Sequence, residues 1–204
     1  MSPAARIAPA ASPYPADIQT RLDAVMRGKP PLVLFTTMAR DPRLFHKFFD
    51  AGLLDRGHLS LRQREIVIDR VTALCGSEYE WGVHVAAFAA HVKLDDAQTR
   101  SLAIGSADDA CWSDAERRLI RFCDALHAHC AIADELWAAL REDVGSDEAM
   151  IELLMLAGFY RTVSYLTNAL RLPLEEGAAR FPARQPQGFI PQISAARART
   201  QPCG

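Results

Sequence analysis

The chain has 204 residues, half of them hydrophobic, with a formal net charge of −2 and a pI near 6.3. That length supports one domain with a substantial core, and the charge balance gives no electrostatic case for nucleic acid or an anionic membrane surface as partner. No apolar run approaches the ~20 residues of a membrane span. The opening MSPAARIAPAASPYP lacks the continuous apolar segment of a secretory signal. Five cysteines form no Cys-x-x-Cys and no zinc spacing. An odd count without a signal points to a reducing cytoplasm. Cys123 and Cys130 lie seven residues apart on one expected helix, about 10 Å along its axis, too far to bridge.

Helix signals dominate, and no segment shows the period-two alternation of a strand. Residues 1–16 read as an extended, Pro- and Ala-rich lead-in. Asp17 is placed to cap a helix over Ile18–Arg27, which Gly28 ends. Lys29-Pro30-Pro31 then breaks the chain before the apolar run Leu32–Met38. Asp41-Pro42 is a cap followed by proline at the first helical position; the helix it opens directs Leu44, Phe45, Phe48 and Phe49 at a core and stops near Gly52. Ser60-Leu61-Arg62-Gln63 has the capping-box form and starts an amphipathic helix to Leu74, with Ile66, Val67, Val71 and Leu74 apolar. Gly76 interrupts, and a central helix is expected over Ser77–Val92. Asp95 or Asp96 starts a short helix to Ile104. Ser113-Asp114-Ala115-Glu116 is a second capping box, opening a helix to about Cys130. A helix over Ala133–Glu142 carries Trp137 as anchor. Gly145 separates it from a long helix, Ser146–Leu170, whose middle (Leu153 to Tyr160) is apolar nearly all round and so is expected to be buried. Prolines 182, 186, 191 and 202 mark a wrapping or mobile tail. The expected organisation is an all-α domain over 17–181, with a Pro-rich tail over 182–204.

The chemistry concentrates in Cys75-Gly76-Ser77-Glu78-Tyr79-Glu80-Trp81-Gly82-Val83-His84. On a helix Ser77, Glu80 and His84 share one narrow face, and Glu80 and His84 form an i, i+4 pair able to share a proton. Glu65 sits on the preceding helix. A purely structural reading stands beside this one: Ser77-x-x-Glu80 is itself a capping box, and a lone histidine on an apolar helix is commonly a packing residue. A metal set of Glu65, Glu80, His84 and His91 is chemically possible, but Glu-x-x-x-His is no specific signature, so neither metal nor other cofactor is expected. Tyr160 and Asn168, eight apart on the long helix, could line the same cavity.

Leu61-Arg62-Gln63-Arg64-Glu65, then Glu78-Tyr79-Glu80-Trp81-Gly82-Val83-His84, then Gly158-Phe159-Tyr160 together resemble the carboxymuconolactone decarboxylase family, which includes the AhpD-like alkylhydroperoxidases. The similarity runs from about Phe45 to Arg171. It implies an AhpD-like helical bundle that assembles into homotrimers or homohexamers, with the site near a subunit interface. The peroxidase branch carries a glutamate, a Cys-x-x-Cys pair and a histidine four residues after the second cysteine. Here the glutamate matches Glu65 and the histidine His84, while Ser77 and Glu80 occupy the cysteine positions. A dithiol peroxidase needs one thiolate to attack and a second thiol to resolve the sulfenic acid. Serine and glutamate do neither.

The resemblance therefore implies the decarboxylase-like chemistry: proton transfer on a small carboxylated or lactone substrate. Catalytic roles fall to Glu65, Glu80 and His84, with His84 as proton donor or shuttle, Glu80 orienting it and Glu65 as a relay behind them. Ser77, Tyr79, Tyr160 and Asn168 are the expected pocket residues. Arg64, Arg70 and Arg161 are candidate anchors for a substrate carboxylate. Two rival readings stay open: a peroxidase-like oxidoreductase using Cys75 as a single thiol with an external reductant, and a non-catalytic, oligomeric ligand-binding protein. The cluster Phe35, Phe45, Phe48 and Phe49 is the sequence's own hint of self-association, or else it completes the domain's core.

Overall fold

A computed structural model of the chain describes residues 5–53 and 55–183. Among these residues there are nine helices and no strand: α1 (Ala16–Met26), α2 (Val33–Met38), α3 (Pro42–Ala51), α4 (Leu61–Leu74), α5 (Glu78–Phe88), α6 (Asp96–Ile104), α7 (Asp114–His129), α8 (Asp134–Val144) and α9 (Asp147–Leu170). The expected all-α class holds.

Helix α4 is the hub, packed against α5, α6, α7 and α9. Its residues from Arg64 to Thr72 are all buried. The Ser60–Gln63 capping box is present in both directions, as are those of Asp95–Gln98 before α6 and Ser113–Glu116 before α7. Asp41 accepts from the Leu44 amide, with Pro42 in the first turn of α3. These caps satisfy amides that a helix start leaves without partners, each worth about 1 kcal/mol.

The turn from α4 to α5 sets the site. Cys75 closes α4, and Gly76 takes φ +65°. Its N–H bonds to Ala73 O and that of Ser77 to Thr72 O, both at 2.9 Å. This is the Schellman arrangement, in which glycine supplies the left-handed residue. The Asn168 side chain donates to Cys75 O at 2.9 Å, tying α9 to the same turn.

Several expectations are corrected by packing. Asp17 is not the cap of α1: Pro15 holds that position with no side-chain bond, and Asp17 pairs instead with His46 at 2.7 Å. Helix α5 ends at Phe88, four residues short of Val92. Leu44 and Trp137 are exposed rather than anchoring. The middle of α9 is not buried all round, because Ile151, Met155 and Tyr165 form an exposed stripe at i, i+4 and i+14. The phenylalanines, by contrast, pack on one another (Phe45–Phe49 at 4.5 Å, Phe35–Phe49 at 4.9 Å) and on α9 through Phe48–Phe159 at 5.2 Å. They complete the chain's own core. By length and composition α9 could cross a membrane, yet half of that window is buried in the bundle.

After α9 the chain folds back over α5. The Ala179 amide bonds to Gly82 O at 3.0 Å, Arg180 and the Phe181 amide bond to Glu78, and the Phe181 ring lies 5.1 Å from Trp81. A Cβ at position 82 would collide with the Ala179 carbonyl, so glycine is what lets this strap sit flush on the helix. The remainder of the expected tail lies outside the described residues.

Candidate functional site

Three helices meet at His84. Glu65 from α4 approaches Nδ1 through Oε2 at 2.8 Å. Glu80, one turn before His84 on α5, approaches Nε2 through Oε1 at 3.4 Å. Tyr160 from α9 stands edge-on to the ring at 5.0 Å and 89°, and the Phe88 ring lies 5.4 Å away. The imidazole is thus held in plane by carboxylates and walled by aromatic rings. All the polar members are buried, with Glu65 3%, Glu80 7% and His84 8% exposed.

Burial alone would lower the His84 pKa. An ionised Tyr160 would act the other way, as do the charge and hydrogen bond of Glu65 and the hydrogen bond of Glu80, and the net position is well above the usual imidazole value. Burial pushes Tyr160 itself up to about 12. Near neutral pH that phenol is uncharged, so the two carboxylates are what hold the imidazolium.

The structural reading of Ser77-x-x-Glu80 is half met. Ser77 Oγ accepts from the Glu80 amide at 3.4 Å, but the Glu80 carboxylate does not bond back to the main chain: Oε1 faces His84 and Oε2 has no partner. Glu65, not Glu80, makes the shorter contact with the ring. Glu65 makes the short bond that fixes ring and tautomer, and Glu80 sits at the open nitrogen with an oxygen to spare.

The expected pocket residues divide. Tyr160 borders His84. Ser77 is fully buried and shares a 2.7 Å hydrogen bond with Thr167, joining α5 to α9. Tyr79 OH accepts from the Leu34 amide at 3.0 Å and donates to Glu175, so it ties α5 to α2 and the C-terminal strap. Asn168 serves the Cys75 turn. All three hydrogen-bond to partners other than His84. Of the arginines, Arg70 is committed to Asp124 and the carbonyls of Leu102 and Gly105. Arg161 binds Tyr165 and His127. Arg64 is held by the Leu53 and Asp55 carbonyls, and of the three only its charge reaches Tyr160. His91 is exposed beyond the end of α5, and among the described residues no three His, Cys, Asp or Glu side chains are arranged to hold a metal ion. Two surface clefts, one of about 540 Å³ beside Asp17 and His46 and one of about 420 Å³ between Gly57 and Met155, do not include the His84 group.

Sequence reasoning missed Asp69. It lies on α4 one turn after Glu65, is 1% exposed, and neither carboxyl oxygen has a partner. The signal was present as Glu65-x-x-x-Asp69, a second acid on the same helix face within an otherwise apolar run.

Two solved structures share this architecture. One is an uncharacterized peroxidase-related protein from Silicibacter sp. TM1040, with TM-score 0.75 and 18% identity over 89% of this chain and 97% of that one. The other is an alkylhydroperoxidase AhpD core, an uncharacterized peroxidase-related protein from Ralstonia eutropha JMP134, with TM-score 0.72 and 21% identity over 85% of this chain and 95% of that one. The fold is therefore AhpD-like. Residues 42–125, from α3 through most of α7, match the model of the carboxymuconolactone decarboxylase family. No curated protein matches the chain.

Proposed function

We propose that the protein is a carboxymuconolactone decarboxylase-like enzyme that transfers a proton to or from a small lactone or carboxylated substrate, without a redox cysteine pair. The observation that carries this reading is the His84 ring gripped at one nitrogen by Glu65 and faced at the other by a Glu80 whose second oxygen is free. When such a substrate loses carbon dioxide, the electron pair left on carbon must take up a proton. The Nε2–H of the His84 imidazolium supplies it: that N–H bond breaks, a C–H bond forms, and the ring becomes neutral. Glu65 keeps Nδ1 protonated throughout, and the free oxygen of Glu80 is an acceptor for a substrate O–H. Proton transfer of this kind contributes about 10²–10⁴-fold in rate.

The rival single-thiol peroxidase reading has less support, because burial raises the Cys75 thiol above its usual value. A peroxide-attacking cysteine needs the opposite shift. The reading also includes self-association, supported by the exposed Ile151, Met155 and Tyr165 on α9; light scattering at micromolar concentration checks it, a monomer being the contrary result.

The activity is tested by steady-state turnover of a panel of lactone acids by the parent, His84→Ala and Glu80→Gln, with melting curves alongside. Loss of turnover with folding retained is expected. Activity within about threefold of the parent removes both residues from the mechanism.

A further inference from the structure

Asp69 has no place in the chemistry above, yet it is the most buried acid near it. Its i, i+4 relation to Glu65 turns its carboxyl to the same side of α4. The charges that bear on it are Glu65 on its own helix and His84 and Glu80 on α5. From α9, Tyr160 closes on the His84 ring; toward α7 the adjacent Arg70 is taken up by Asp124. Among the described residues no Lys or Arg is hydrogen-bonded to Glu65, Asp69 or Glu80. Two carboxyls thus contact one imidazole, and a third, Asp69, lies on the same side of α4 as Glu65, buried and with neither oxygen partnered.

If all three carboxyls were ionised around an imidazolium, the site would carry two uncompensated negative charges. An ionised carboxylate buried without hydrogen bonds costs several kcal/mol, whereas an unbonded neutral polar group costs about 1–3 kcal/mol. The proton therefore belongs on the carboxyl with the poorest partners. Glu65 has a 2.8 Å bond to the ring, Glu80 has a 3.4 Å contact, and Asp69 has nothing.

We propose that Asp69 is the proton-holding acid of this site: it rests as a neutral carboxylic acid, and by staying neutral it leaves the His84 imidazolium to two carboxylates rather than three. It is a positioning residue that acts through the charge balance at His84 and touches no substrate. The same surroundings act on its titration, since burial first and the Glu65 and Glu80 charges after it raise the Asp69 acid well above its usual value against the pull of His84. An acid whose folded pKa is raised contributes stability that is complete below its unfolded value and is lost as pH rises toward the folded one.

The inference takes His84 as the working group of the proposed function, but its test reads protonation and not turnover, so either can fail alone. Infrared spectra of the full chain at neutral pH are compared for the parent, Asp69→Asn, Glu65→Gln and Glu80→Gln. The expected result is a carbonyl-stretch band of a protonated carboxyl in the parent that disappears in Asp69→Asn and persists in both glutamine variants. No difference band between parent and Asp69→Asn, or a band lost only in a glutamine variant, overturns the proposal. The gap in melting temperature between Asp69→Asn and the parent is expected to widen in favour of the variant from about pH 5 to about pH 8; a constant gap counts against it. Should Asp69→Asn fail to fold, carboxyl ¹³C resonances of aspartate-labelled parent decide. A resonance keeping its protonated shift above about pH 6 sustains the proposal, and its absence ends it.

Discussion

Asp69 and Arg70 are neighbours on the same buried helix and are treated in opposite ways. Arg70 spends its guanidinium on Asp124 at 2.7 Å and on two carbonyls at 3.1 Å, binding α4 to α6 and α7. Asp69, one residue earlier and about 100° around the helix, is buried with no partner at either oxygen, on the same side of α4 as the Glu65 that binds His84. The α7 side of α4 is a structural polar contact, satisfied and tolerant of its burial. The α5 side is left short of partners and long on negative charge, which a fold built for stability alone would not keep. The difference marks the α5 side as the place where the proposed chemistry would sit.

The contrast can be broken most sharply at His84. His84→Ala is expected to lower kcat/KM by at least about 100-fold and to lower the melting temperature as well, because Glu65 and Glu80 lose the cation they share; a stability loss with turnover per folded molecule retained would make the α5 side structural too. Arg70→Met should do the reverse, costing about 2–3 kcal/mol in urea unfolding by stranding Asp124 and two carbonyls, with turnover per folded molecule kept. Asp124 is 36% exposed, which holds the figure below that of a fully enclosed pair. Gly82→Ala should cost about 1–2 kcal/mol and speed limited proteolysis at the 175–183 strap, since the new Cβ meets Ala179. The smallest effect is on pH dependence. His84 has a folded pKa raised above its unfolded value, so its contribution is full below about pH 6.5 and is lost as pH rises through the folded value. The parent should melt progressively lower from about pH 6 to about pH 9, and His84→Gln should flatten that slope.

Local chemistry made much of this architecture readable. The boxes at Ser60–Gln63 and Ser113–Glu116, and Asp41-Pro42, locate helix starts because capping involves residues three apart. Glu80 and His84 are readable as a pair for the same reason. What joins helices was not readable. That Glu65 rather than Glu80 makes the short bond to the ring depends on the Gly76 turn and the way α4 lies on α5. Tyr79 and Asn168 were expected in the pocket but serve Glu175 and Cys75, partners 96 and 93 residues away. Asp69 is easily passed over because Ile66, Val67, Ile68 and Val71 surround it in sequence, and only its i, i+4 spacing from Glu65 marks the face it takes.

The amino-acid sequence by itself determined the helical class, most helix boundaries, the absence of a Cys-x-x-Cys pair and the adjacency of Glu80 and His84, all of which rest on interactions spanning four residues or fewer. Tertiary structure alone decided which acids share the histidine, which of them is left without a partner, and that the phenylalanines face inward while Ile151, Met155 and Tyr165 face out. Burial and charge coupling are properties of three helices meeting, and no single stretch of chain contains them.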